Sequence, residues 1–79
     1  MQQLRVWWIR NPPAPAKYFP VKNVKEAVKV LNRLAKADLK NKGITDNAGG
    51  VEEFDEKDKK WYEFYDKEGR DISEIIDGE

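Results

Sequence analysis

The sequence predicts an α+β domain in which one long helix packs on a small, mainly antiparallel sheet, with elements in the order ββαβββ. Three observations carry this. An amphipathic helical pattern with a capping signal covers residues 24–40, short apolar segments flank it on both sides, and Pro- or Gly-containing turn sequences separate those segments. Its 79 residues make a single domain, residues 1–79, near the size at which one core only just offsets the entropy of ordering the chain. The absence of cysteine and histidine excludes disulfides, thiolate zinc sites, cysteine nucleophiles and imidazole catalysis.

The first strand is Leu4 to Ile9, within "RVWWIRNPP", and Asn11-Pro12-Pro13 ends it. Side chains alternate along a strand, so Trp7 and Trp8 cannot both enter one core. The stretch "AKYFPVK" is a second short extended segment, forming a loose hairpin with the first. Pro20, lacking an N–H, confines it to an edge or to the strand's end.

Asn23-Val24-Lys25-Glu26 fits a capping box and starts the helix. On a helical wheel Val24, Ala27, Val28, Leu31, Leu34, Ala35 and Leu39 share an arc roughly 140° wide, the core face. Lys25, Lys29, Arg33, Lys36 and Lys40 fill a separate arc of about 80°, a basic ridge on the other side. Asp38 falls inside the apolar arc near the helix end, where its charge opposes the helix dipole. The expected compensation is structural: hydrogen bonds from a Trp N–H, a Tyr O–H or a loop backbone.

After the helix, "KGITDNAGG" collects turn formers, with Gly49-Gly50 expected at positive φ before a strand from Val51 to Asp55. "EKDKK" turns the chain into a strand over residues 61–66, "WYEFYD". "DKEGR" suits a type I turn with Gly69 left-handed, returning the chain along Asp71-Ile72. Ser73 to Ile76 reads equally as a half-turn of helix or a strand end.

One helix covers one face of such a sheet. The fullest apolar set, Leu4, Val6, Trp8, Phe54, Tyr62 and Phe64, is expected beneath it, which leaves Trp7, Trp61 and Tyr65 on the other face. Two outcomes stand for these: an exposed interaction patch, or a mini-core closed by the Pro-rich segment or by Ile75 and Ile76.

The net charge of zero conceals a division. Residues 1–42 hold ten Lys and Arg against Glu26 and Asp38, whereas residues 43–79 hold five against thirteen acids, giving +8 followed by −8. Such a split marks either halves that neutralise each other on folding or two surfaces of opposite sign.

Catalytic and metal chemistry find no support. The acids of "VEEFDEKDKK" have the pattern of solvated turn and edge-strand residues. "DKEGRD" places glycine fourth rather than sixth, with Asp77 instead of glutamate at the twelfth position of a calcium loop. "NAGG" lacks the Lys-Ser/Thr of a phosphate loop. No cofactor is implied.

"VWWI" running into prolines, "EAVKVLNRLAKADL", "DNAGGVEEFD" and "WYEFYDKEGRDI" together resemble a group of short proteins encoded by tailed phages and prophages, some labelled with superinfection exclusion. The resemblance implies a phage-derived context inside a bacterial cell. No signal-peptide pattern and no long apolar run is present, so the expected location is the cytoplasm. The expected function is non-enzymatic binding of another protein, possible host factors included, through the aromatic face (Trp7, Trp61, Tyr65) and the acidic strands. The alternatives are nucleic-acid binding through the ridge of Lys25, Lys29, Arg33, Lys36 and Lys40, and self-association of ridge with acidic hairpin.

Overall fold

In the computed structural model of the chain, residues 3–78 are described. The elements are β1 (Leu4–Arg10), β2 (Lys17–Val21), α1 (Val24–Leu39), β3 (Asn47–Asp55), β4 (Lys60–Glu63) and α2 (Ile72–Asp77). The four strands form one sheet in the order β2-β1-β3-β4, with every neighbouring pair antiparallel. The α+β class stands as expected from the sequence. The last element differs: Asp71 accepts a hydrogen bond from the Glu74 N–H and caps α2, where a fifth strand along Asp71-Ile72 was expected. An aspartate followed three residues later by glutamate is a helix-start signal, and it prevails over the hairpin reading.

The core lies between the sheet and α1. Val6 on β1 faces Phe19 on β2 and Val51 on β3, so these share one face with Leu4, Trp8 and Val21. They pack with Ala27, Val28, Val30 and Leu31 of α1, and Phe64 and Ile72 complete the same cluster. The buried side of the helix is rotated relative to the wheel: Val30 is buried, whereas Leu39, expected in the core, is 88% exposed at the helix end. Asn23 caps α1 by accepting from the Glu26 N–H, and the Glu26 carboxylate accepts from the Lys22 N–H, as a capping box requires.

Register decides which aromatics enter this core. Leu4 pairs with Glu53 and Phe54 pairs with Trp61, so Phe54 lies on the face opposite α1, contrary to expectation. A one-residue difference in pairing register exchanges the faces of a whole strand. Tyr62 shares the helix side but is 45% exposed, because β4 is an edge strand beyond the cover of α1. β4 ends at Glu63, three residues short of the expected end.

Gly49 and Gly50 lie inside β3 in extended conformation, and among the described glycines Gly69 has the positive φ, 78°. Their role is close approach. Gly49 lies against the Trp8 ring on the core face; on the other face a Cβ at Gly50 would stand 2.6 Å from Trp7 Nε1. Two adjacent glycines thus receive two adjacent tryptophans, one on each side of the sheet.

Leu31→Ala is expected to cost about 2–5 kcal/mol, read as a lowered denaturant midpoint. Gly49→Ala should cost about 1–3 kcal/mol because it drives a methyl into the buried Trp8 ring. Gly50→Ala should cost less, since Trp7 is only half-buried and is free to tilt outward; equal losses for the two would contradict this packing.

Candidate functional site

Two polar or aromatic assemblies stand out from the core. The first is built on Asp38, in the last turn of α1 and only 4% exposed. Its carboxylate accepts from Trp8 Nε1 at 2.9 Å, Arg10 Nε at 2.7 Å and Asn47 Nδ2 at 3.1 Å. Burial by itself raises the Asp38 pKa; the hydrogen bonds from Arg10, Trp8 and Asn47, together with the Arg10 charge, outweigh it and hold the carboxyl below its ordinary value. All three donors come from the sheet, so the assembly fastens the end of α1 to β1 and β3. A Trp N–H donor was foreseen, and Arg10 and Asn47 were not. Among the described residues no group of three or more His, Cys, Asp or Glu is arranged to hold a metal ion.

The second assembly occupies the face of the sheet away from α1. The Arg5 guanidinium lies 3.8 Å from the centroid of the Tyr18 ring and 4.1 Å from that of Trp61. Its Nε donates to Glu52 at 2.8 Å. Trp61 also meets Phe54 in a tilted contact, centroids 5.3 Å apart. Tyr18, Arg5, Trp61 and Phe54 therefore form one continuous stack across all four strands, and Trp7, paired with Tyr18 in the register, lies beside it.

Neither of the anticipated covers closes this face. Ile75 and Ile76 pack against the core on the α1 side, and Pro12, Pro13 and Pro15 are exposed. Trp7 and Trp61 lie on the same face of the sheet, on the non-adjacent strands β1 and β4. Tyr65 lies beyond β4, 52% exposed, and joins the rim through its hydroxyl, which donates to Glu63 at 2.9 Å. Tyr18 and Phe54 were missed as members of this face, and Arg5, which alternation puts on it with Trp7, was not foreseen as the centre of a ring cluster. The alternation of Arg5 with Trp7 was legible, whereas the ring contacts depend on a register that no local signal gives.

The ridge cations Lys25, Lys29, Arg33, Lys36 and Lys40 are all exposed on α1. They lie on the helix that covers the other side of the sheet, and at the β2 edge Lys29 and Arg33 line a surface depression together with Glu26 and with Tyr18 of the stack.

A family model described as superinfection exclusion gene product 17 matches residues 3–78. The chain belongs to this family. It is a phage-encoded family, in agreement with the resemblance read from the sequence, and the match spans every element of the fold, including both assemblies. No curated protein and no solved structure matches the chain. No helix among the described residues is long and apolar enough to cross a membrane.

A pH dependence follows from the lowered carboxyls. Asp66 is also held low, chiefly by the Arg70 backbone N–H and further by the Arg70 side chain and the Glu68 N–H. A carboxyl whose folded pKa lies below its unfolded one stabilises fully above the unfolded value, and loses that contribution as pH falls through the folded one. The thermal midpoint should therefore hold near neutrality and drop below about pH 4. Asp38→Asn should lower the midpoint at pH 7 and flatten the acid limb of the profile, measured by circular dichroism melts across pH.

Proposed function

We propose that this member of the superinfection exclusion family is a small non-enzymatic protein that acts in the bacterial cytoplasm by binding another protein, a component that an incoming phage requires. The binding surface is the open sheet face, with Trp7 and Trp61 central, Tyr65 at the rim and the acidic strands β3 and β4 alongside.

The observation that carries this reading is the Tyr18–Arg5–Trp61–Phe54 stack on a face that no described element covers. Tryptophan, tyrosine and arginine are the residue types that dominate binding energy at protein interfaces. Here they are ordered before any partner arrives, since the guanidinium is held by two rings and a carboxylate. Such preorganisation reduces the entropy lost on association. The family description supports the binding part of this reading, because excluding a second phage calls for recognition.

Affinity capture from phage-infected cells, comparing the parent chain with Trp7→Ala and Trp61→Ala, tests the proposal. Trp61→Ala should weaken partner binding by about 2 kcal/mol or more, roughly 30-fold in Kd, while shifting the thermal midpoint only modestly. Retention of the same partner by both variants, or a collapse of stability with binding unchanged in the folded fraction, would assign the face to folding instead.

A further inference from the structure

The fold keeps the two charged halves of the sequence apart. The basic half supplies β2, β1 and α1, and the acidic half supplies β3, β4 and α2, so the strand order β2-β1-β3-β4 turns a division along the chain into one across the sheet. The ion pair Arg5–Glu52 joins the halves, while Arg10–Asp38 and Arg70–Asp66 are formed within one.

The ridge on α1 has one acid beside it, Glu26, which shares a depression with Lys29 and Arg33. Among the described residues none of Lys25, Lys29, Arg33, Lys36 or Lys40 has a carboxylate within ion-pairing distance. Lys25–Lys29, Lys29–Arg33 and Lys36–Lys40 are like charges at i,i+4, an arrangement that destabilises a helix. Lys25 in the first turn also opposes the dipole of α1. Beside these residues runs a surface depression of about 580 Å³, lined by Lys29, Asn32, Arg33, Lys36, Ala37 and Lys40.

The acidic side carries a similar excess, with one cation nearby: Arg70, ion-paired to Asp66 and Glu68, has its guanidinium by Gly78 at the end of α2. Glu74 and Asp77 are exposed on α2, neither is ion-paired among the described residues, and the last turn of α2 carries Asp77 with no basic residue. A carboxylate there opposes the helix dipole.

Each surface thus holds like charges whose mutual repulsion an opposite surface relieves, and both occur on one chain. We propose that the α1 ridge of one copy docks on the acidic α2 surface of a second copy. A second copy suits this better than a nucleic acid: it is neutral overall and presents the complementary sign, whereas a polyanion meets repulsion from the acidic half. Because the contact is exposed and electrostatic, it strengthens at low ionic strength and is screened within about 8 Å at physiological salt. It is formed on the helix side of the fold, where Tyr18 is the stack member beside Lys29 and Arg33, and it does not rest on the reading of the aromatic face.

Charge reversal tests the pairing. Sedimentation velocity of the full chain should show concentration-dependent association at about 0.02 M salt and monomer at about 0.5 M. The double variants Lys29→Glu/Arg33→Glu and Glu74→Lys/Asp77→Lys should each lose association at least about tenfold when alone, and an equimolar mixture of the two should recover a one-to-one complex. Circular dichroism checks that each variant folds, and the corresponding Gln variants replace any that does not. A parent chain monomeric at low salt, association untouched by either double variant, or a mixture that fails to pair would overturn the proposal. So would a monomeric parent that binds a random-sequence DNA duplex through Lys29 and Arg33, which would give the ridge to nucleic acid.

Discussion

The architecture depends on a buried carboxylate. Asp38 stands where burial and the C-terminal end of a helix dipole both disfavour its charge, and it stays charged because Trp8, Arg10 and Asn47 direct donors at it. Losing any donor would leave a buried charge partly unsatisfied, a far larger penalty than the net gain of an ordinary hydrogen bond. The assembly therefore does more than fasten α1. By drawing the Trp8 indole inward it fixes the facing of β1, and alternation then sends Arg5 and Trp7 outward.

From that facing the two sides of the sheet acquire different work. The inner side is a conventional small core of Val, Leu, Phe and Ile under α1, extended at one end by α2. The outer side has no second layer, and its rings are ordered by each other and by Arg5 rather than by cover. Gly49 and Gly50 let both arrangements occur at the same level of the sheet, since each indole needs the space that a side chain on β3 would fill.

Much of this was legible in the sequence, and the failures have a common cause. The helix, its Asn23 cap, the first hairpin with Pro20 on an edge strand, and the anomaly of Asp38 are written in local signals: a capping box, a missing N–H, an acid on an apolar arc. The outward facing of Trp7 and of Trp61 also followed from alternation. What escaped depended on partners far away in the chain. Phe54 changed faces because β3 pairs Glu53, not Phe54, with Leu4. Gly49-Gly50 has the composition of a turn, and only the indoles opposite explain its place in a strand. Leu39 lost its burial because the buried side of α1 is rotated toward Val30 and Asp38, so at the helix end the sheet receives Asp38 and Leu39 is left exposed.

The edge strands carry a consequence for behaviour at high concentration. β2 includes Pro20, which interrupts the row of donors an added strand would need, and β4 is four residues long and begins at Lys60. Both features discourage other chains from extending the sheet by backbone pairing. A protein that displays tryptophan, tyrosine and phenylalanine on an uncovered sheet is at risk of growing into fibres, and here that route is obstructed on both flanks. Encounters are thereby left to side chains on the faces rather than to backbone pairing at the edges.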